Sequence, residues 1–193
     1  MEEKNSFFTD VEEIRRRARE HIRCSALTAD DPGDAQLACQ VLNEALATEI
    51  VCTLRYWSHY DLTEGIHADS VKEEFAEHAR EEQSHADRLA ERIKQLGGKP
   101  DLHPEGILTL SHAESHNGET LVELIEEDLV AERVAIESYR EMANYFTVSG
   151  DFVSRKLMEE ILENEEEHAE ELASFLLTLA PDRQPINPDA EAA

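Results

Sequence analysis

The stretch Glu82 to Ala90 reads E-Q-S-H-A-D-R-L-A, and Glu165 to Ala173 reads E-E-E-H-A-E-E-L-A. The two lie 83 residues apart. The same offset carries Glu49 onto Glu132 and Tyr56 onto Tyr139. Each half therefore contains a Glu, a Tyr seven residues on, and a Glu-x-x-His 33 residues after the first Glu. One Glu-x-x-His means little in a chain with 32 Glu. A third, Glu64 to His67, contains Gly65 and reads as a chance match in a turn. The equal spacings carry the information.

Around the two copies the apolar residues recur at helical steps of three and four. The first long helix, over 35–60, aligns Ala38, Leu42, Ala45, Glu49, Cys52 and Tyr56. The second aligns Phe75, His78, Glu82, His85, Leu89, Ile93 and Leu96, with Ser70 and Glu73 as a capping box and Gly97-Gly98-Lys99-Pro100 as its stop. The third, over 118–146, aligns Leu121, Ile125, Asp128, Glu132, Ala135, Tyr139, Met142 and Phe146. The fourth, over 151–179, aligns Met158, Ile161, Glu165, His168, Leu172, Phe175 and Leu179. Residues 97–117 are long enough to cross the length of a bundle, whereas 147–151 form a short antiparallel link. The expected fold is all-α, two helical hairpins joined by one long crossover, preceded by a short helix over 9–23 that Asp10 caps. Its Arg15, Arg16, Arg17, Arg19 and Arg23 make that helix basic, and its Val11, Ile14, Ala18 and Ile22 stripe is expected to pack on the bundle or on a neighbouring subunit. The chain divides into an N-terminal tail and helix (1–34), the bundle (35–180) and a Pro-rich tail (181–193).

Every inward stripe is interrupted near its middle by carboxylates. An unpaired buried carboxylate is costly, and four converging at one level repel one another. Protonation or cations resolve this. Two divalent metals balance four carboxylates, and a Glu and a His three apart on a helix face the same metal pair. Glu49, Glu82, His85, Glu132, Glu165 and His168 are the predicted ligands. Four carboxylates and two imidazoles suit iron or manganese, with zinc as a competitor. Tyr56 is counted with the catalytic set, although core packing with a bonded hydroxyl is favoured for Tyr56 and Tyr139 over redox chemistry or support of a ligand. Asp128 is read either as orienting a ligating imidazole or as paired elsewhere, His78 as core or channel lining, and Cys52 as a core thiol or a metal-binding or redox group.

The net charge is −26. That disfavours nucleic acid as the principal partner and suits a protein that gathers cations. Met1-Glu2-Glu3-Lys4-Asn5 is acidic and has no apolar core, and the sequence shows no 18-residue apolar run. A cytoplasmic protein without a leader or membrane span is therefore expected. Cys24, Cys39 and Cys52 form neither a metal cluster nor an even disulfide framework.

These residues resemble the ferritin-like superfamily, and bacterioferritin within it. The resemblance rests on Thr48-Glu49-Ile50-Val51 and Arg55-Tyr56, on Glu82 with His85-Ala86-Asp87-Arg88 and Glu91-Arg92-Ile93, on Asp128-Leu129 with Glu132, and on Asp151, Val153-Ser154-Arg155, Glu165-Glu166 and His168. It implies a ferritin-like four-helix bundle with a di-iron centre. Glu49 and His85 would hold one metal, Glu132 and His168 the other, with Glu82 and Glu165 bridging. It also implies oxidation of Fe(II) by dioxygen or hydrogen peroxide, and ferric mineral stored in a hollow homo-oligomeric shell. Bacterioferritins place a haem-ligating Met after the Glu of the second helix. Here that residue is Gln83, and no haem is expected. The Pro-rich tail in place of a fifth helix is similar to the bacterioferritin-like branch of the DNA-protection-during-starvation proteins, which implies twelve subunits rather than twenty-four. That branch often carries a Cys pair near the metals, where this chain has Cys52. Two other readings remain: a small-oligomer di-iron or di-manganese oxidase, peroxidase or catalase, and a non-catalytic metal-binding or DNA-shielding protein.

Overall fold

The computed structural model describes residues 11–20, 32–65, 68–113 and 118–181. Six helices make up the described chain: α1 (Val11–Glu20), α2 (Pro32–Leu62), α3 (Ala68–Gln95), α4 (Pro104–Leu110), α5 (Leu121–Ser149) and α6 (Phe152–Leu179). The four long ones, α2, α3, α5 and α6, form the expected bundle. Helix α2 packs on α3, α5 on α6, and the two hairpins meet along α2–α5 and α3–α6.

Local chemistry sets the ends. Thr120 caps α5: its side chain accepts from the Glu123 backbone while the Glu123 carboxylate accepts from the Thr120 N–H. The helix therefore starts at Leu121 rather than 118, and it runs on to Ser149. Gly150 ends it at φ +76°, a left-handed conformation that costs glycine little. Asp151 then caps α6 by accepting from Ser154 N–H and also accepts from the Arg92 guanidinium at 2.8 Å. One carboxylate thus ties the end of α3 to the start of α6. Helix α3 begins at Ala68, so Ser70 lies inside its first turn instead of capping it.

The crossover holds a short helix that periodicity did not predict. Pro104 opens α4, where a missing N–H costs nothing, and none of its seven residues is buried. Asn43 of α2 anchors the crossover, donating to Lys99 O and accepting from Asp101 N–H. His112 N–H donates to Thr48 Oγ1 further along.

Two apolar clusters fill the bundle, one at each end. The first gathers Leu42, Leu46, Leu89, Ile93, Tyr139, Phe146, Met158 and Ile161. The second gathers Tyr56, Val71, Phe75, Leu124, Ile125 and Leu172. Each fully buried Leu, Ile or Phe contributes about 1.5–3 kcal/mol. Between the clusters lies a layer of buried acids and imidazoles. By length and hydropathy α2 could cross a membrane over Asp34–Leu62, although sequence reading found no apolar run of that length. More than half of that window is buried in the bundle, and the stretch points Glu49 inward, so its apolar character serves the core.

In α1 two of the basic side chains pair with acids one turn earlier, Arg15 with Glu12 and Arg16 with Glu13, both at 2.7 Å. Val11 and Ile14 are exposed, so this part of its stripe is not covered within one subunit. Asp10, Ile22 and Arg23 lie outside the described residues, and the side chains of Arg17 and Ala18 lie outside the description as well.

Candidate metal centre

All six predicted ligands converge in the polar layer, and none is more than 3 % exposed. Glu49 comes from α2, Glu82 and His85 from α3, Glu132 from α5, and Glu165 and His168 from α6. They fall into two groups whose ligand atoms lie within 4.8 Å of one another: Glu49, Glu82, His85 and Glu165, and Glu82, Glu132, Glu165 and His168. Glu82 and Glu165 belong to both. His85 Nδ1 lies 3.0 Å from Glu49 Oε2, 3.4 Å from Glu82 Oε2 and 3.3 Å from Glu165 Oε1. His168 Nδ1 lies 3.3 Å from Glu82 Oε1, 3.7 Å from Glu165 Oε2 and 3.9 Å from Glu132 Oε2.

The far side of each imidazole is held from the opposite hairpin. His85 Nε2–H donates to Asn164 Oδ1 at 2.9 Å, and His168 Nε2–H donates to Glu81 Oε2 at 2.7 Å. This fixes the ring orientation and turns Nδ1 toward the carboxylates. The 83-residue offset carries Glu81 onto Asn164, so the clue was present in the repeat. Sequence reading missed it because the two residue types differ. The tyrosines are also symmetric. Tyr56 donates to Glu132 Oε1, and Tyr139 donates to Glu49 Oε1, each across the α2–α5 interface. Both rings are fully buried, one in each apolar cluster.

Burial would force charge out of this layer, and neighbouring groups decide where it stays. Glu49 is raised well above the usual range by burial and then by the charges of Glu82 and Glu165. Glu132 is raised likewise by burial, Glu165 and Glu82. Burial acts against ionised Glu82 as well, but the imidazoles of His168 and His85 outweigh it and hold its carboxyl low. Glu165 is also held low, against burial and the Glu82 charge, by His168 and His85. Burial opposes protonation of His85 and His168, yet their carboxylate neighbours push both up to about 12. Without cations, burial and charge repulsion favour the protonated forms of Glu49 and Glu132, while Glu82 and Glu165 are the carboxylates that the two imidazoles support. Two divalent cations would replace those protons.

The donor atoms fit such cations. Both oxygens of Glu82, Glu165 Oε1 and His168 Nδ1 are buried without an aligned hydrogen-bond partner. A folded protein rarely leaves so many buried polar atoms unmet at one level.

The remaining candidates are placed individually. Asp128 does not orient a ligand; its Oδ2 accepts at 2.8 Å from Nδ1–H of His59, and both side chains are completely buried. His78 is buried and stacks on His168 with ring centroids 3.9 Å apart. Cys52 is buried, and burial, followed by the nearby carboxyl groups with Glu82 first, raises its thiol well above the ordinary value. A thiol held neutral in this way is a poor nucleophile and a poor metal ligand. Glu64 is exposed at the bend after α2, while His67 and Cys24 lie outside the described residues.

Comparison with known proteins agrees with this fold. The ferritin-like domain family matches residues 39–180. The chain belongs to the ferritin-like family. It is 34 % identical over 138 residues to a bacterioferritin of Rhodobacter capsulatus, covering 72 % of this chain and 81 % of that protein. It is 34 % identical over 146 residues to a nutrient stress-induced DNA-binding protein of Synechococcus sp., covering 75 % and 81 %. Among solved structures it resembles a dodecameric thioferritin, the bacterioferritin-related protein of Bacteroides fragilis. The TM-score there is 0.72 and the identity 34 %, over 76 % of this chain and 88 % of that one. This ferritin-like chain therefore shares its bundle with both bacterioferritin-type and dodecameric relatives.

Proposed function

We propose that the protein is a ferroxidase that oxidises Fe(II) at a dinuclear centre built from Glu49, Glu82, His85, Glu132, Glu165 and His168, and stores the ferric product in a homo-oligomeric shell. The observation that carries this reading is the pair of overlapping donor groups sharing Glu82 and Glu165. Two carboxylates common to both groups hold two Fe(II) substrates close enough to deliver an electron each to one oxidant. With dioxygen as acceptor, two electrons and two protons yield hydrogen peroxide; with peroxide they yield two waters.

The chain's own residues prepare that step. Asn164 and Glu81 keep His85 Nδ1 and His168 Nδ1 facing the substrate, so little reorganisation follows iron entry. Tyr139 and Tyr56 hold the outer carboxylates Glu49 and Glu132 through hydrogen bonds. Each tyrosine hydroxyl is also a hydrogen donor beside the oxidation site, which is the catalytic part we assign to Tyr56. Gln83 lies on the exposed face of α3, with its amide bonded to Asp87, and offers no thioether for haem.

The shell reading rests on surface chemistry. Leu37, Leu54, Trp57 and Leu62 of α2 and Val130 and Val134 of α5 are large apolar side chains exposed on a single subunit. So much apolar surface on two adjoining helices is covered in an assembly of copies. One relative of known structure, the thioferritin of Bacteroides fragilis, is a dodecamer, and twelve subunits is the number we assign here. The charge of −26 supplies acidic groups to nucleate mineral and works against DNA binding.

Iron retention tests the reading. Apo protein is given a large excess of Fe(II) in air, the particle is sized, and iron per chain is counted. Tens of iron atoms per chain on a dodecamer-sized particle support storage. About two per chain on a small oligomer would replace storage with a di-metal oxidase or peroxidase. No oxidation above the protein-free rate would leave only metal binding.

A further inference from the structure

The 83-residue repeat breaks at one end of the centre. The offset carries His78 onto Ile161, Glu74 onto Leu157, and Arg88 onto Glu171. Ile161 is completely buried in its apolar cluster. The bundle thus accepts an aliphatic side chain at this register, and His78 is not required for packing. In its place the α3–α6 interface carries an acid–imidazole–acid triple absent from the other end.

The geometry of the triple is that of a ligand set. His78 Nε2 lies 3.0 Å from Glu171 Oε2 and 3.5 Å from Glu74 Oε1. One ligand atom from each of the three lies within 4.8 Å of the others. The His78 side chain is 1 % exposed, and its Nδ1 is buried with no partner. The two carboxylates reach solvent in a groove between α3 and α6, with Glu74 24 % and Glu171 51 % exposed. They face each other: burial, then the Glu171 carboxylate, push Glu74 up to about 7. That mutual repulsion is what a cation relieves. His78 also joins the dinuclear layer. Its ring stacks on His168, and it has a ligand atom within 4.8 Å of donor atoms of both Glu132 and His168.

We propose that Glu74, His78 and Glu171 form a third divalent-cation site, which takes Fe(II) from the α3–α6 groove and passes it to the His168 side of the dinuclear centre. Two carboxylates and one imidazole with open positions for water suit Fe(II), Mn(II) or Zn(II). The handover needs no redox step: the cation leaves half-buried Glu74 and exposed Glu171, stays in reach of His78, and meets Glu132 and His168. Cation binding at the triple stands independently of the ferroxidase reading, whereas the relay role rests on it.

Zinc, which does not oxidise, is the probe. Crystals of the full-length assembly are soaked in Zn(II), and anomalous density is located in wild type, the Glu74→Gln/Glu171→Gln variant and the Glu82→Gln/Glu165→Gln variant. The expected result is zinc between Glu74, His78 and Glu171 in wild type. The first variant should lose that zinc while keeping density at the dinuclear centre, and the second should show the reverse. Wild-type crystals with the dinuclear centre filled and nothing at the triple would overturn the proposal and leave a structural ion pair. Zinc at the triple alone would support this site and count against the dinuclear reading. For the relay, stopped-flow oxidation at limiting Fe(II) should slow about tenfold in Glu74→Gln/Glu171→Gln, with the deficit shrinking as Fe(II) is raised. A rate equal to wild type at limiting Fe(II) would contradict the relay.

Discussion

Asn164 and Glu81 touch no carboxylate of the centre, yet each sets the direction of an imidazole across the bundle. Replacing Asn164 with Ala frees the His85 ring. It is expected to weaken divalent metal binding about 10- to 100-fold while leaving the helices intact, as read by calorimetric titration of Zn(II). Unaltered affinity would mean that packing alone fixes the ring. The candidate ligands themselves set the pH response. Burial and then neighbouring carboxylates raise Glu49 and Glu132, and the acids around His85 and His168 push these up to about 12, against burial. The metal-free layer therefore binds protons that the metal-bound layer does not. Affinity must rise with pH and fall on acidification, by about tenfold per pH unit for each proton released. Titrations between about pH 6 and about pH 8 measure the slope, and a flat profile would contradict the proton-binding layer. The six candidate ligands were legible in the sequence because burial makes repeated inward Glu and His expensive. The pairing of Asp128 with His59 was not. Periodicity tells which face a residue occupies, but not which side chain of the neighbouring helix meets it.

The helices show the same division. Their existence and their inward stripes follow from period, because a stripe must find apolar partners whatever the surroundings. Their ends follow from single hydrogen bonds. Thr120 outcompetes Gly118 as the start of α5 because its hydroxyl and Glu123 satisfy each other's backbone donors. Removing that hydroxyl with Thr120→Ala is expected to cost about 1 kcal/mol, seen as a lower urea midpoint with an unchanged slope. At the other end Gly150 holds φ +76° in open space, so a side chain there meets no steric clash but a strained backbone. Gly150→Ala should destabilise by about 1 kcal/mol on that ground alone. Helix α4 escaped sequence reading because it is seven residues long and buries none of them, so it has no stripe to detect. Asn43 holds the crossover through backbone contacts, an arrangement that leaves no hydropathy signal.

For the molecule as a whole, the polar layer between two apolar clusters is a fault in the core that the proposed cations would repair. On the proposed reading, divalent metal would bind the folded layer in preference to the unfolded chain. Free metal at a hundred times the dissociation constant should therefore stabilise the fold by about 2.7 kcal/mol, raising Tm in wild type and much less in Glu82→Ala. On the proposed reading, the acidic groups and the apolar residues exposed on α2 and α5 would serve cation supply and self-assembly. The most direct test of the central claim is the size of the first fast phase of Fe(II) oxidation. Apo protein is titrated with Fe(II) and mixed with dioxygen or hydrogen peroxide in a stopped-flow instrument. A dinuclear ferroxidase predicts a fast phase that saturates at about two Fe(II) per chain and vanishes in Glu82→Ala and in His85→Ala while both variants stay folded. A fast phase that survives in either variant, or that grows with Fe(II) without saturating, would contradict it.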